Sequence, residues 1–216
     1  MKKAALHNLG CKVNAYETEA MQQMLEEAGY EIVPFSEKAD VYVINTCSVT
    51  NMGDRKSRQI IRRAKKLNPN AVIAVTGCYA QTAPDEVLAI EGVNLVLGTK
   101  DRKNIVTLVE ELNTESNINH VSDIMSNHEF EELQIKQYSN RTRAFIKIQE
   151  GCNQFCSYCI IPYARGPVRS RAKDDVVREI KELAHNGFKE IILVGIHVAS
   201  YGVDLGDTTL ESLIMD

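Results

Sequence analysis

Short apolar segments alternate with amphipathic helical segments through the first half of the chain, and this alternation constrains the fold more than any other feature. Strands are predicted over 4–9, 41–45, 71–76 and 93–97, and helices over 16–28, 54–67, 84–90 and 101–112, with Asp101 starting the last. Such alternation is typical of a parallel sheet covered by helices. We therefore expect an α/β fold that begins with an open parallel sheet.

The first predicted helix has a clear apolar face. Met21, Met24, Leu25 and Ala28 recur at helical spacing, so we expect all four to face the sheet. Gly29 follows at the point where a helix commonly ends in the left-handed conformation.

The second half restarts the pattern after a polar segment. Residues 113–140 are rich in Asn, Ser and Glu and are predicted to be a linker, with a short strand near 132–135. A strand is predicted over 143–149, a helix over 174–185 and a strand over 190–194, and Thr208 or Thr209 would start a further helix.

This pattern predicts three regions: a first domain over 1–112, the linker over 113–140 and the start of a barrel-like domain over 141–216. The helix predicted over 174–185 ends at Gly187, and its predicted inner face carries Val176, Val177, Ile180, Leu183 and Ala184. Two strands with one crossover helix cannot bury both faces of a parallel sheet. We therefore expect the chain to be part of a longer protein, with one edge of its second sheet exposed.

The bulk composition gives weaker limits. The chain has 216 residues and a formal net charge of −4, so its total charge does not indicate a nucleic-acid partner. No apolar run approaches the ~20 residues of a membrane span, and His7 and Asn8 interrupt the only candidate for a signal peptide. Six cysteines without an export signal favour a reducing compartment, and the cytoplasm is the expected location.

Three of the six cysteines lie on one short loop. Cys152, Cys156 and Cys159 have the spacing Cys-x3-Cys-x2-Cys. Three thiolates so placed can hold a 4Fe–4S cluster while leaving its fourth iron free, which suits chemistry on a bound molecule. The alternatives are a structural zinc site, which needs a fourth ligand that this segment does not offer, and disulfides, which need a secretory context.

The other three cysteines are far apart in sequence but share one position. Cys11, Cys47 and Cys78 each follow a predicted strand. Because parallel strands end at the same edge of a sheet, we expect these residues to converge on a second cluster site. Gly10 and Gly77 would allow the tight turns that this needs. The alternative is three unrelated buried thiols.

The loop spacing resembles that of the radical S-adenosylmethionine (SAM) superfamily. The resemblance implies that SAM binds the open iron and is cleaved to a 5′-deoxyadenosyl radical, which makes Cys152, Cys156 and Cys159 the catalytic cysteines. Tyr158 matches the aromatic position that borders the adenine of SAM, and simple packing is the alternative role for it. His197, just past a predicted strand, is a candidate contact for SAM or substrate.

Further segments resemble the methylthiotransferase family within that superfamily. They are 9–14 (LGCKVN), 43–50 (VINTCSVT), 75–81 (VTGCYAQ), 147–152 (KIQEGC) and 162–166 (PYARG), followed by Arg169 and Arg171. Residues 195–202 (GIHVASYG) are similar to the branch that modifies threonylcarbamoyl-adenosine in tRNA.

The resemblance implies addition of a methylthio group to carbon 2 of that adenine at tRNA position 37, two 4Fe–4S clusters, SAM, and an electron donor such as flavodoxin or ferredoxin. It also implies a fold in which the open sheet is followed by an incomplete radical SAM (β/α) partial barrel. Alternatives are action on isopentenyl-adenosine tRNA or on a ribosomal-protein aspartate, an inactive cluster-binding fragment, and a non-catalytic iron–sulfur electron carrier.

Two groups of basic residues are candidates for RNA contact. Residues 55–66 contain seven Lys or Arg and no acid, and could meet phosphates or form a solvated helix face, with Ile60, Ile61, Ala64 and Leu67 turned to the sheet. Arg165, Arg169 and Arg171 follow the cysteine loop near Tyr163 and are predicted to contact substrate RNA, with pairing to acidic residues as the alternative. His7 is predicted to be a packed strand histidine rather than a cluster neighbour.

Overall fold

The computed structural model describes residues 1–49, 51–133, 135 and 143–216. The first half is built from strands β1 (Lys3–Asn8), β2 (Glu31–Ile32), β3 (Val41–Thr46), β4 (Val72–Gly77), β5 (Leu95–Leu97) and β6 (Ile118–His120). Its helices are α1 (Lys12–Glu27), α2 (Asn51–Leu67), α3 (Cys78–Thr82), α4 (Pro84–Leu88) and α5 (Ile105–Glu110). The strands form one parallel sheet in the order β2-β1-β3-β4-β5-β6.

Helices cover both faces of this sheet. Ile61 and Ala64 of α2 pack on one face, together with apolar residues of α3 and α4, while Met21 and Leu25 of α1 pack with α5 on the other. Every residue of β3 and β4 is therefore buried, as is usual for the central strands of a parallel sheet. Because α1 and α2 leave neighbouring strands toward opposite faces, a crevice opens at the carboxyl ends of β1 and β3, where open α/β sheets bind ligands.

The second half contains a smaller sheet. Its strands are β7 (Arg143–Glu150), β8 (Arg169–Ser170) and β9 (Glu190–Gly195), and its helices are α6 (Ile161–Arg165), α7 (Lys173–His185) and α8 (Leu210–Ile214). Strand β7 pairs in parallel with β9 and antiparallel with β8. Most of β9 is only half-buried, as expected for a strand with a free edge. Thr209 starts α8 through a capping box with Ser212.

Most predicted elements are present, with differences at their ends. Helix α1 begins at Lys12, four residues before the predicted start, and Ala28 is exposed rather than inward because it lies beyond the last turn. Ala184 of α7 is also exposed. Asp101 is left-handed (φ 64°) and precedes a short 3-10 turn over Arg102–Asn104, but its side chain caps no backbone N–H.

Several short elements were not predicted. Strands β2, β6 and β8 have two or three residues each, too few for a periodic pattern to be recognised, and α3 has five. Strand β6 lies within 113–140, so part of the predicted linker belongs to the first sheet. The predicted strand near 132–135 is not formed at 132, 133 or 135, and Gln134 lies outside the described residues. In the described part of the chain, no helix is both long and apolar enough to cross a bilayer.

Helix α1 packs against both sheets. Met21 and Leu25 belong to the core of the first half, whereas Tyr16 and Ala20 pack with Ile146 and other apolar residues of the second. The Tyr16 hydroxyl also donates a hydrogen bond to the Leu133 carbonyl oxygen. The two halves are therefore joined by a shared helix rather than by a tether alone.

A second connection is a group of six ionisable side chains, here called the buried ion cluster. Its members are Glu17, Arg102, Glu131, Lys147, Glu150 and Arg165. Three are cations and three are carboxylates, and all are buried or nearly so. Because they come from both halves, their pairing fixes how the halves meet.

Glu17 of α1 is the centre of this cluster. Its carboxylate lies 2.5 Å from Arg102, 2.6 Å from Arg165 and 3.3 Å from Lys147. Glu150 lies 2.6 Å from Arg165 and 2.7 Å from Lys147. Burial alone would raise the pKa of each carboxyl, but the adjacent cations outweigh burial and lower the pKa of Glu17 and, further, that of Glu150.

Replacement of Glu17 by Gln is expected to lower the free energy of unfolding by about 3–5 kcal/mol, because it leaves three buried cations facing two carboxylates. Glu190→Gln is the control, since its ion pair with Arg143 is more than half exposed and contributes at most about 1 kcal/mol. Urea unfolding followed by circular dichroism measures both. Equal effects in the two variants would contradict the structural role given to the cluster.

Candidate functional site

The three separate cysteines of the first half lie at the carboxyl ends of three neighbouring strands. Cys11 is the N-cap residue of α1 after β1, Cys47 follows the last residue of β3, and Cys78 is the first residue of α3 after β4. The sheet order β1-β3-β4 makes these strand ends adjacent. The three cysteines therefore follow adjacent strand ends, while a cluster held by them stays a prediction.

Two glycines allow this close approach. Gly10 has a φ of +119°, and a Cβ atom there would lie 2.9 Å from Cys47 Cβ and 3.1 Å from Cys47 Sγ. Gly77 has a φ of +95°, and its Cβ would lie 2.4 Å from Thr46 O. Side chains at either position would combine backbone strain with a clash. Gly10 thus allows the loop after β1 to pack against Cys47, and Gly77 allows the end of β4 to pack against the end of β3.

Asn14 ties these loops together. Its Oδ1 accepts hydrogen bonds from Cys11 Sγ at 3.3 Å and from Arg165 Nη2 at 2.7 Å. Its amide nitrogen has three acceptors on the strand ends: Leu9 O at 3.1 Å, Asn45 Oδ1 at 3.1 Å and Thr46 O at 2.9 Å. One amide in the first turn of α1 therefore fixes the geometry around Cys11.

The three thiols differ in exposure. Cys11 is exposed, Cys47 is half-buried and Cys78 is buried. Burial raises the pKa of Cys78, and the charge of Arg165 together with its hydrogen bond opposes that rise, because Arg165 Nε donates to Cys78 Sγ at 3.2 Å. Cys47 is close enough for its charge to add to the rise. The site thus places a guanidinium against its most buried thiol.

The second set of cysteines lies on the loop between β7 and α6. Cys152 N donates to Gly166 O at 3.0 Å, and Cys159 N donates to Cys156 O at 2.9 Å. Gly151 has a φ of +74°, and a Cβ there would lie 1.8 Å from Pro167 O, so only glycine fits. Cys152 and Cys159 are half-buried and Cys156 is exposed. The loop presents its three thiols without a disulfide.

The donor set fits iron–sulfur clusters better than the alternatives. All six cysteines, which lie within the described residues, are free thiols, which argues against disulfides. Among those residues no three His, Cys, Asp or Glu are close enough to hold a single metal ion, which argues against a closed zinc site. A cubane cluster spans more space than one ion and takes thiolate ligands, and each set supplies three.

A cleft of about 420 Å³ lies between the two halves. Cys11, Lys12 and Val49 line it from the first half. Ile161 and the end of β9, including Gly195, line it from the second. The cleft therefore joins the first cysteine site to the carboxyl end of a strand in the second sheet, which is where parallel folds collect their ligands.

The structure places the two candidate SAM contacts differently. Tyr158 is 90% exposed, so it has no packing role here and is free to contact a ligand. His197 is half-buried after β9, where its ring Nδ1 lies 2.5 Å from Ser200 Oγ and its backbone N–H donates to Gln149 Oε1 at 2.7 Å.

The predicted RNA contacts of Arg165, Arg169 and Arg171 are contradicted. Their exposed fractions are 0%, 2% and 1%, so none offers a surface to RNA. Arg165 belongs to the buried ion cluster, Arg169 donates to backbone carbonyl oxygens, and Arg171 pairs with Glu179 and another carboxylate. Pairing with acidic residues, the alternative given from the sequence, holds for Arg165 and Arg171, whereas Arg169 bonds backbone carbonyl oxygens instead.

The basic helix α2 remains a candidate surface for RNA contact. Ile61 and Ala64 face the sheet as predicted, with Ile60 and Leu67 packed partly against the same core. Two of its seven basic residues are engaged: Arg58 pairs with Glu86, and Lys65 donates to Pro69 O. The remaining five are largely solvent-exposed: Arg55, Lys56, Arg62, Arg63 and Lys66.

His7 behaves as a packed histidine. Its ring lies 4.9 Å from that of Phe35, and burial, with the charge of Arg63, lowers its pKa. The sequence favoured this role over one beside the cluster. The structure supports it, because the ring contacts an aromatic side chain.

Sequence reasoning missed the polar residues that support the site. Asn14 and Glu17 lie three residues apart on the buried face of α1, and Glu150 ends β7 next to the cysteine loop. A signal was present, because polar residues at inward positions of a helix are rarely left without partners. Their partners could not be identified from one sequence, because Arg165 is far from Asn14 and Glu17 along the chain.

Comparison with known proteins identifies the family. Residues 3–98 match the family described as "Uncharacterized protein family UPF0004", and residues 146–213 match the radical SAM superfamily. Curated relatives with 52% and 43% identity to this chain are methylthiotransferases. The chain belongs to this family within the radical SAM superfamily, and the superfamily implies SAM and a 4Fe–4S cluster.

Relatives with similar sequences extend over the whole chain. Threonylcarbamoyladenosine tRNA methylthiotransferase MtaB of Bacillus subtilis (strain 168) is 52% identical over 217 residues, which cover 100% of this chain and 48% of the relative. MtaB of Aquifex aeolicus (strain VF5) is 43% identical over 94% of this chain. A tRNA-2-methylthio-N(6)-dimethylallyladenosine synthase of Dictyoglomus thermophilum is 34% identical over 100% of it. The chain spans about half the length of the curated relatives it matches.

Solved structures support the fold. The radical SAM methyltransferase TsrM from Kitasatospora setae, with cobalamin and a 4Fe-4S cluster bound, aligns over 100% of this chain and 52% of its own with a TM-score of 0.59. A second TsrM structure, with tryptophan and a SAM analogue, aligns with a TM-score of 0.55 over 91% of this chain. Identities of 16% and 17% limit this likeness to the fold.

Proposed function

We propose that this chain is the cluster-binding part of a tRNA-modifying radical SAM enzyme that adds a methylthio group to carbon 2 of threonylcarbamoyl-adenosine at tRNA position 37. The observation that carries the proposal is the pair of cysteine sets. Three thiols meet at adjacent strand ends, and three more lie on a loop whose following helix contacts the first set. The chain thereby provides two sets of three cysteine thiols, one on each side of the junction between its halves.

The residue roles follow from this arrangement. Cys152, Cys156 and Cys159 would ligate the SAM-binding cluster, with Tyr158 beside the adenine and His197 near SAM or substrate. Cys11, Cys47 and Cys78 would ligate the second cluster. When bound, the clusters and SAM would supply the radical and the sulfur. The chain itself sets the spacing of the cysteines in the first set through Asn14, Gly10 and Gly77. It also supplies the cleft between the halves.

The substrate branch rests on sequence similarity. The relatives with the highest identities given above are named for threonylcarbamoyladenosine, and the dimethylallyladenosine relative is 34% identical. This difference favours threonylcarbamoyl-adenosine over isopentenyl-adenosine as the substrate. A reductant such as flavodoxin or ferredoxin and a cytoplasmic location complete the proposal, since the chemistry needs an electron and reduced thiols.

Anaerobic reconstitution is expected to load about eight irons per chain, four for each cluster. Cys11→Ala and Cys152→Ala should each remove about half of this iron, because each removes a ligand from one set only. Iron and sulfide analysis measures the content. Loss of all the iron from either single substitution would contradict two independent sites.

The reaction is tested on tRNA that carries threonylcarbamoyl-adenosine, by mass analysis of its nucleosides after incubation with SAM and a reductant. We expect the full-length protein to form the methylthio adenine and Cys152→Ala to abolish it, because SAM cleavage needs the loop cluster. The same assay on tRNA with isopentenyl-adenosine separates the branches. SAM cleavage without any methylthio product on either tRNA would contradict the proposal.

Helix α2 is the RNA-contacting surface that the proposal favours, now that the three buried arginines are excluded. Replacing Arg62, Arg63 and Lys66 by Gln should weaken tRNA binding and reduce the slope of log affinity against log salt by about one for each phosphate that is no longer neutralised. The matched control replaces exposed Lys103, Lys181 and Lys189, which changes the net charge equally. Fluorescence anisotropy measures both, and equal slopes would exclude α2 as the RNA-binding surface.

A further inference from the structure

All three nitrogens of the Arg165 guanidinium donate hydrogen bonds. Its Nε donates to Cys78 Sγ at 3.2 Å, and its Nη2 donates to the Asn14 amide oxygen at 2.7 Å. Its Nη1 bonds Glu17 and Glu150, both at 2.6 Å. This side chain therefore touches the first cysteine set directly at Cys78 and, through Asn14, at Cys11.

The backbone next to it reaches the other set. Gly166 O accepts the hydrogen bond from Cys152 N at 3.0 Å, and Glu150 lies two residues before Cys152. Arg165 and Gly166 together thus contact both cysteine sets within two consecutive residues. Gly166 has a φ of +69°, and a Cβ there would lie 2.5 Å from Ile124 O, so the close packing of this backbone requires glycine.

We propose that Arg165 is a positioning residue that couples the two cluster sites. Its guanidinium hydrogen-bonds the Cys78 sulfur, holds positive charge beside the first cluster and fixes the distance of that cluster from the Cys152 loop. This inference rests on the proposed function, since it assigns a role within the same pair of sites. It replaces the RNA contact predicted from the sequence.

The chemistry of the donor explains why this position needs arginine. A planar guanidinium can serve a sulfur, an amide and two carboxylates at once in fixed directions, whereas an ammonium is a point charge on a flexible stem. The carboxylates of Glu17 and Glu150 accept hydrogen bonds from Nη1 and so orient the guanidinium. The positive charge and the N–H···S hydrogen bond both favour the reduced cluster, because reduction adds negative charge near them.

The experiment measures the reduction potential of each cluster separately. Substitutions at Arg165 are made in two backgrounds of the reconstituted chain: Cys156→Ala, which leaves the first cluster, and Cys47→Ala, which leaves the loop cluster. Potentiometric titration followed by electron paramagnetic resonance gives the potentials. Arg171→Gln is the control, because Arg171 is equally buried and paired with carboxylates but bonds no cysteine.

Arg165→Gln is expected to shift the potential of the first cluster to more negative values and to leave the loop cluster unchanged. Arg165→Lys should shift it in the same direction by less, because it keeps the charge and loses the directed hydrogen bond. Selective loss of the first cluster in Arg165→Gln would also support the role. Unchanged potentials in both Arg165 variants, an equal shift in Arg171→Gln, or loss of both clusters from both Arg165 variants would overturn it.

The proposed function can be contradicted independently of the role of Arg165. If the full-length protein holds both clusters and cleaves SAM but forms no methylthio adenine, the proposed reaction is contradicted. The cluster reduction potentials measured in the Arg165 variants can then still be interpreted. Absence of the first cluster from the unsubstituted chain would overturn the function and this inference together.

Discussion

The buried ion cluster determines how the two halves of this chain meet. Three cations and three carboxylates are removed from water at the junction, and the pairs of Glu17 with Arg165 and Lys147 join one half to the other. Separation would break these two pairs, and loss of a partner from a buried ion pair costs several kcal/mol. The cluster adds directional pairing to the apolar contact made by α1. The position of one cysteine set relative to the other follows from this pairing.

The parallel sheet supplies the second constraint. Cysteines scattered along the sequence become neighbours because β1, β3 and β4 are adjacent and end at one edge. This edge is also the topological switch point, so the crevice for ligands and the thiols coincide. The cleft beside Cys11 extends the same edge toward the second sheet. Fold and chemistry are therefore linked by strand order rather than by any local motif in the first half.

The sequence predicted the long elements and the placement of Cys11, Cys47 and Cys78 after strands, because apolar periodicity and strand-end positions are local signals. It missed β2, β6 and β8, which have only two or three residues each and are recognisable only by their pairing with neighbouring strands. It also assigned Arg165, Arg169 and Arg171 to the surface, since arginine is seldom fully buried. The carboxylate on α1 that compensates Arg165 lies far away in sequence, so the local sequence could not show that this arginine turns inward. Tyr158 illustrates the opposite case, because its exposure removes a packing role that the sequence had left open.

Helix α1 has a consequence for how the molecule comes apart. Since Met21 and Leu25 belong to one core while Tyr16 and Ala20 belong to the other, fraying of this helix would expose apolar surface in both cores at once. Local opening in one half is thereby transmitted to its neighbour, and the two sheets behave as a single cooperative unit. Amide hydrogens in β1 and β7 would then exchange with solvent on a common timescale, although the strands belong to different sheets.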